Sequence, residues 1–518
     1  MHRPSRREAL ADVGRGMFLA TLGAGVAADL GLGAAWAQDE PGRLTFGDLD
    51  PLVTFIHETP ADRLLPRTVE MLRTGTDLRQ LVAAAALANA RAFGGEDYVG
   101  FHTLMALTPA YHMATEETDA RRRPLAVLKV LYRNAARLAE VGQTSAEVLR
   151  PVAPTASATG EQLRDLARAK DVAGAERAFA ALAAGRPADA LDGLMPMVDD
   201  GVEVHRTVLV SRSLDLLDFV GAARAHTMLR QSVRYCVKTE QNAGYVTGHQ
   251  EVRTLLPRLL DQHRLLSREP GTRVPDDAWV DQFATTVFRA TPAQAAEAVA
   301  AALAEGISPQ AVGDAVALAA NQLVLRDEGR PPQWASANKP AGSCHGDSVG
   351  VHACDSVHAW RTIARAGGRR TMASSLILAG YQVARDRGAN NDFPTRVPYP
   401  RPEHAEAVRG VPSDALPREL DGAVREKNQS RAAALAARIG ETNPSGSREV
   451  FALLRGYAVS EDGALHAEKF YRTVTEEFAA ARPAFRWRQL VALARVTASA
   501  HGYPAPGLAQ ARELLTAG

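Results

Sequence analysis

The chain has 518 residues, with 60 Lys and Arg against 59 Asp and Glu, and 46% of its residues are hydrophobic. A net charge of +1 leaves no basic excess for a phosphate backbone, so we expect no nucleic-acid partner. Three cysteines exclude a disulfide scaffold, and only 6% aromatic residues favour helices over a large sheet.

The first 37 residues are typical of a twin-arginine signal peptide. The motif SRREAL at 5–10 precedes an apolar stretch at 16–28 and the small-residue site AWA at 35–37. This apolar stretch is too short to span a bilayer, so the mature form is expected to have no membrane span. The pattern predicts a periplasmic or secreted protein that engages the twin-arginine translocase during export. The alternative is an ordinary amphipathic first helix.

Beyond this segment, apolar residues at three- and four-residue spacing predict an all-α fold. We expect a two-lobed helical bundle with lobes at 38–270 and 271–390, followed by a Pro-rich linker and a C-terminal helical extension at 391–518. The predicted linkers are 267–276 and 390–417. The predicted helices are 61–74, 77–93, 98–114, 124–140, 160–185, 200–220, 221–239, 249–266, 276–304, 309–326, 347–366, 369–387, 430–440, 446–457, 465–480 and 485–501.

A weak internal repeat relates the two lobes. In each lobe, an Ala-rich helix containing an asparagine (Asn89 or Asn321) precedes a V-G-x-H element, which ends at His102 or His352. The repeat predicts a pseudo-twofold arrangement in which these two histidines occupy equivalent positions. Similar composition without a true repeat is the alternative.

Two further predicted helices carry polar stripes. His205 and Arg212, seven residues apart, fall on one stripe of an otherwise apolar helix. His226, Arg230 and Arg234 follow at a spacing of four, which places them on one helix face. Imidazole and guanidinium groups suit a carboxylate or phosphate, so Arg212, His226 and Arg230 are candidate ligand-binding residues. A basic face paired with acids is the alternative.

The densest group of reactive side chains lies at 344–358. His352 and His358 are about 120° apart around a helix axis, so a complete metal site needs ligands from other helices. We therefore predict His102, His205 and His352 as metal ligands. The predicted catalytic residues are His352, Cys354, Asp355 and His358. A disulfide between Cys344 and Cys354, with buried hydrogen bonds, is the alternative reading of this segment.

The sequence CDSVH at 354–358, followed by AWR at 359–361 and AG at 366–367, resembles the motif of the alkylhydroperoxidase D-like and carboxymuconolactone decarboxylase family. The resemblance implies an all-α fold, with Cys354 and His358 at the second cysteine and the histidine of the motif. That family has C-x-x-C-x₃-H, and Val351 stands at the first cysteine position here. The redox disulfide of the family is therefore not implied.

Across most of its mature length the chain also resembles a family of exported bacterial all-α proteins without a characterised activity. Elements corresponding to Phe101-His102, Val204-His205-Arg206 and Gly350-Val351-His352 recur in that family. The resemblance implies that the three histidines act as a set, but it implies no reaction.

Together these patterns favour an exported helical metal-dependent or redox enzyme with a histidine-lined interior site and a small-molecule substrate. The expected cofactor is a divalent transition metal such as Zn, Fe or Cu. One alternative is a non-catalytic binding or scaffold protein with structural histidines, and another is a cofactor-free hydrolase using Ser343 or Cys354. A shared ion predicts ring nitrogens within about 5 Å of a common point.

Overall fold

The computed structural model describes residues 42–141, 147–388 and 393–517. Helices make up 73% of the structure and the described residues contain no strand, so the predicted all-α helical bundle is confirmed. The predicted signal peptide at 1–37 lies outside the described residues. None of the described helices combines the length and apolar character needed to cross a membrane.

The first half of the described chain is a series of helices joined by short turns. Their bounds are α1 Asp50–Glu58, α2 Ala61–Arg73, α3 Leu78–Phe93, α4 Tyr98–Glu116, α5 Leu125–Val141, α6 Gly160–Arg168, α7 Val172–Leu182, α8 Pro187–Val198, α9 Val204–Val220, α10 Ala225–Glu240, α11 Ala243–Gly248 and α12 Gln250–Gln262. Acidic side chains begin several of these helices by accepting backbone N–H groups, as Asp77, Asp97 and Glu203 do for α3, α4 and α9.

The second half continues in the same manner. Its helices are α13 Asp277–Arg289, α14 Pro292–Ala304, α15 Pro309–Leu325, α16 Val349–Ala366, α17 Arg369–Arg387, α18 Pro402–Val408, α19 Leu416–Arg425, α20 Gln429–Thr442, α21 Ser447–Ser460, α22 His466–Ala480, α23 Arg486–Ala500 and α24 Leu508–Thr516. Ser308 caps α15 and is followed by a proline at the first helical position.

Two predicted helices are each divided in the structure. Lys170 has a φ of 62°, and Asp171 then caps the start of α7. Thr291 caps α14 with a proline at the next position. The single helices predicted over 160–185 and 276–304 are therefore wrong, because local caps interrupt a continuous apolar periodicity.

The Pro-rich stretch at 390–417 is also not the plain linker that its composition predicts, because it contains α18 and the beginning of α19. Proline occupies one of the first two positions of α1, α8, α18 and α19, helices that the periodicity did not predict. At these positions the missing N–H of proline has no helical partner to lose. The prolines therefore begin helices here rather than interrupting them.

One continuous cluster of buried apolar residues extends from Leu44 to Ala511. The segments predicted as two lobes and a C-terminal extension all contribute to this core. The Ala-rich helices α3 and α15 lie inside it, buried over most of their length. Small side chains allow neighbouring helices to approach these two closely.

The predicted repeat recurs as an arrangement of helices, because α3 packs on α4 as α15 packs on α16. The second pair is very close, since a Cβ at Gly350 would lie 2.7 Å from the backbone nitrogen of Val324. The paired asparagines have different partners. Asn89 donates to the carbonyl of Gly100, whereas Asn321 donates to residues of α23. The helix order recurs and the hydrogen bonding does not.

Four helices form a closed ring around the polar centre of the bundle. α4 packs on α9, α9 on α16, α16 on α22, and α22 on α4. The ring includes a helix from the predicted C-terminal extension. Each predicted segment therefore contributes to the same centre.

Candidate functional site

Each helix of this ring contributes one histidine to a group that we call the four-histidine cluster. The ring centroids are 4.8 Å apart for His102 and His205, and 6.0 Å apart for His205 and His352. His466 lies 5.2 Å from both His352 and His102. The structure thus brings together the three predicted metal ligands and adds a fourth histidine.

All four histidines lie near the N-terminus of their helix. His466 and His205 are the first and second residues of α22 and α9. His352 and His102 are the fourth and fifth residues of α16 and α4. Because a helix N-terminus carries partial positive charge, four such ends at one place disfavour protonated imidazole and favour an anion.

Hydrogen bonds at Nδ1 fix the orientation of three of the rings. Nδ1 of His102 donates to the carbonyl of Tyr98 at 2.7 Å, and Nδ1 of His466 donates to the carbonyl of Gly463 at 3.2 Å. Nδ1 of His205 contacts a carboxylate oxygen of Glu203 at 2.5 Å. A carbonyl oxygen only accepts, so Nδ1 of His102 and Nδ1 of His466 each carry a proton.

The remaining ring nitrogens are buried without partners. Nε2 of His102, His205, His352 and His466 forms no hydrogen bond with any described residue. In neutral His102 and His466 the proton lies on Nδ1, so their Nε2 atoms carry a free lone pair, which is the form that binds a metal ion. The cluster therefore presents lone pairs that the protein itself leaves unsatisfied.

The cluster is more open than a closed metal centre. Among the residues that the structure describes, no three His, Cys, Asp or Glu side chains are already arranged to hold a metal ion. Imidazole ligands bind Zn²⁺ at about 2.0–2.1 Å, so their nitrogens must converge on one point. Binding by three or four of these histidines therefore requires the rings to turn towards each other.

Burial keeps three of the four histidines neutral. Burial, reinforced by the ammonium of Lys469, lowers the pKa of His352 to about 3. The same two causes lower the pKa of His102 and of His466. Neutral imidazole requires no proton loss before it binds an ion.

We expect His352 to make the metal-free protein less stable in acid. Its pKa is about 3 when folded against 6.5 ordinarily, so the unfolded chain takes up the proton first. Below pH 6.5 the unfolding free energy should therefore fall by up to about 1.4 kcal/mol per pH unit from this residue. Urea unfolding of chelator-treated wild type and His352→Gln, measured from pH 8 to pH 5, tests this expectation.

The slope of stability against pH should be the same for both proteins between pH 8 and pH 7.5, where His352 is neutral in either state. It should be shallower in His352→Gln below pH 6.5. Parallel curves down to pH 5 would show that His352 is protonated in the folded protein.

Aromatic rings and a glycine loop enclose the cluster. The ring of Tyr98 lies 4.4 Å from His102, and the residue is 60% exposed. The ring of Phe101 lies 5.1 Å from His205. On the opposite side, a Cβ at Gly346 would lie 2.6 Å from Cβ of His466, so this position has room only for glycine.

Two clefts approach the cluster at the start of α16. One, of about 910 Å³, has Ser348 and Gly350 in its wall. The other, of about 90 Å³, has His345 and Gly463 in its wall. Asp347 lines both clefts, which bring open space to within about one turn of His352.

A buried lysine adjoins the cluster. Lys469 lies one turn after His466 on α22 and is 3% exposed. Among the described residues it forms no hydrogen bond and no ion pair. Burial lowers the pKa of Lys469 to about 8, although Asp355 attracts its charge.

Further charged residues lie near this lysine, on α16 and α9. Asp355 accepts a hydrogen bond from Thr473 at 2.8 Å, and Arg212 pairs with Asp215 at 2.8 Å. Burial raises the pKa of Asp355 against the attraction of Lys469. The predicted catalytic Asp355 therefore bonds a residue one turn after Lys469 on α22, and the predicted ligand-binding Arg212 already has an acidic partner.

His358 belongs to a separate ion network. Its Nε2 contacts Glu476 at 2.5 Å and its Nδ1 contacts Glu477 at 2.8 Å. Burial opposes protonation, but the hydrogen bonds to these two acids outweigh it and raise the pKa of His358. Glu477 also pairs with Arg361, which contacts Asp314 at 2.5 Å. The predicted catalytic His358 is thus held between carboxylates and does not join the four-histidine cluster.

The three cysteines, all of them in the described residues, are buried and unpaired. Cys344 donates to Asp327 at 3.4 Å, so the alternative of a disulfide with Cys354 is not formed. Burial raises the pKa of Cys344 to about 12 and that of Cys354 well above its usual range. Cys354, predicted as catalytic, is therefore a protonated thiol here.

The predicted stripe on α10 is buried and its cations are paired. Arg230 contacts Glu176 at 2.7 Å and Arg234 contacts the same carboxylate at 3.0 Å. His226 stacks on Phe179 with centroids 5.9 Å apart. The structure does not bring this stripe to the four-histidine cluster.

Sequence reasoning missed three residues of the site: His466, Lys469 and Glu203. His466 and Lys469 lie at the start of a helix that was predicted correctly, but neither follows a V-G-x-H element. Glu203 fell inside the helix predicted at 200–220, whereas it caps α9. The one available signal was the position of Glu203, an acid two residues before the candidate ligand His205.

No protein-family model, no curated protein and no solved structure matches this chain. The function is therefore inferred from the four-histidine cluster and its surroundings.

Proposed function

We propose that the four-histidine cluster binds one divalent transition metal ion, and that the protein is a metal-dependent enzyme acting on a small molecule. One observation carries this proposal: four buried histidine rings lie side by side, and the Nε2 atom of each has no hydrogen-bond partner among the described residues. Each buried unsatisfied polar atom costs about 1–3 kcal/mol. An ion bound by these nitrogens would remove that cost.

The surroundings of the histidines support an ion with nitrogen ligands. Imidazole suits Zn, Fe and Cu, whereas Ca²⁺ and Mg²⁺ prefer oxygen. Metal-bound histidines commonly donate their other N–H to a carboxylate or a carbonyl, as His102, His205 and His466 do here. Ligands on facing helices are a normal way for a helical bundle to build a metal site.

The imidazole ligands carry no negative charge, and the carboxylate of Glu203 would offset only part of the charge of the ion. An ion of this kind polarises a bound oxygen atom and lowers the pKa of bound water, which suits hydrolytic or redox chemistry. The clefts at the start of α16 offer a small molecule a route towards the cluster. Export of a folded protein by the twin-arginine route, as the N-terminal sequence predicts, agrees with an ion acquired before translocation.

Metal analysis tests the proposal. Protein purified without chelator, or reconstituted with Zn²⁺, Fe²⁺ or Cu²⁺, should retain about one equivalent of ion per chain after desalting. Alanine at position 102, 205, 352 or 466 should reduce this occupancy strongly. His112→Ala is the matched control, because His112 lies on α4 outside the cluster, and this variant should retain the ion.

Retention of the ion in all four cluster variants would place the metal elsewhere in the protein. No bound metal in the reconstituted wild type would overturn the proposal and favour a scaffold with structural histidines.

A further inference from the structure

We propose that the four-histidine site takes a small monovalent oxygen anion, of the carboxylate class, and that Lys469 binds its negative oxygen beside the metal ion. This inference rests on the proposed function, since it assigns the substrate class of the same site. It arises from a residue outside the ion-binding set, a buried lysine without a partner.

Lys469 lies beside the four-histidine cluster. It follows His466 by three residues, so the two side chains lie on one face of α22. Its ammonium is the charged group that acts most strongly on His102, His352 and His466. Because the rings of His102 and His352 each lie 5.2 Å from the ring of His466, a residue one turn after His466 lies close to three of the four histidines.

The ammonium lacks the partners that the other buried cations have. Lys129 pairs with Glu468, Arg230 with Glu176, and Arg361 with Glu477. Lys469 forms neither a hydrogen bond nor an ion pair with any described residue, although it is 3% exposed. A buried unpaired charge is costly, so a ligand that supplies a negative oxygen would stabilise it.

The balance of charge at the site favours an anion. The carboxylates of Glu203 and Asp355 bring at most two negative charges to the site, and each already accepts a hydrogen bond from a neighbouring hydroxyl. A divalent ion on neutral histidines, the ammonium of Lys469 and four helix N-termini together leave the site positive.

The donors present indicate the class of anion. A phosphate is commonly held by bidentate guanidinium groups or several donors at once. Here the nearby Arg212 already pairs with Asp215, so one ammonium and one ion remain. That pair suits a single charged oxygen, as in a carboxylate.

Cobalt substitution provides the test, with acetate as the probe. Wild type loaded with Co²⁺ should show a visible spectrum that acetate changes in a saturable way. Lys469→Met should keep the cobalt spectrum but bind acetate about tenfold to a hundredfold more weakly, which is the loss of one charge-assisted hydrogen bond. Lys238→Met is the matched control, because this exposed lysine bonds the carbonyl of Glu96 and lines neither cleft, so its loss should leave acetate binding unchanged.

A second variant gives an effect of opposite sign. Asp355→Asn removes a negative charge that competes with acetate for the ammonium of Lys469 and, measured at pH 6 so that this lysine stays protonated, should make acetate bind more tightly. If Lys469→Met does not fold, this variant decides the question. Equal acetate affinity in wild type and in the folded variants, or no response of the wild-type spectrum, overturns the inference. Failure of the wild type to bind Co²⁺ overturns the proposed function instead.

Discussion

Replacing Lys129 with methionine should lower the free energy of unfolding by about 3–5 kcal/mol, the usual cost of removing one member of a buried ion pair. Nζ of Lys129 lies 2.6 Å from Glu468, and neither side chain has any exposed surface. The lysine also donates to the carbonyls of Ala458 and Glu461. Loss of the ammonium leaves the Glu468 carboxylate buried without its cation. Urea unfolding at pH 7 measures the effect.

The double variant Lys129→Met/Glu468→Met separates the charge from the packing. When both charges are replaced by apolar groups of similar size, no buried charge is left unpaired. We expect the double variant to be more stable than Lys129→Met alone. A double variant as unstable as the sum of two single variants would show that packing or the carbonyl contacts, and not the ion pair, determine stability here.

Replacing Glu203 with glutamine should weaken metal binding about 10- to 100-fold. This is the usual effect of losing a group that accepts a hydrogen bond from a metal-binding histidine. The carboxylate of Glu203 contacts Nδ1 of His205 at 2.5 Å and accepts the hydroxyl of Tyr235 at 2.7 Å. These contacts, although opposed by burial, lower the pKa of Glu203 to about 2, so it is an anion at neutral pH. A neutral amide holds the imidazole less firmly and donates less electron density to it.

Asp97→Asn is the matched control for this variant. Asp97 caps α4 as Glu203 caps α9, but it bonds Gly100 and Arg137 and no histidine ring. Zinc affinity, measured by competition with a chromophoric chelator, should fall in Glu203→Gln and stay unchanged in Asp97→Asn. Equal losses in both variants would mean that helix capping, rather than the bond to His205, controls affinity.

The sequence predicted the helices well where periodicity and caps agreed. α4 and α17 have the predicted start, and α22 begins one residue from it. The errors arose at prolines and local caps. Lys170 and Thr291 interrupt apolar patterns that read as continuous, and Pro187 begins a helix that composition concealed. In each case the backbone conformation or cap of a single residue determined where a helix begins or ends. The apolar periodicity, which is averaged over many residues, does not show such a boundary.

The site was predicted in part for a physical reason. His102 and His352 stand out because they share a V-G-x-H element, and His205 because it interrupts an apolar helix. His466 has neither signal, since only the packing of α22 on α4 and α16 brings it to the others. The choice of partner for Arg212 and Arg230 also depends on packing, which periodicity does not encode.

The spacing of the four histidines along the chain has a consequence for how the protein opens. Three chain segments, each of more than a hundred residues, separate positions 102, 205, 352 and 466. An ion held by all four would cross-link segments that no short-range contact joins, and its binding energy would oppose unfolding. Detaching any one of these helices would then remove one ligand and weaken the binding of the ion. The bound metal would therefore suppress partial unfolding throughout the bundle.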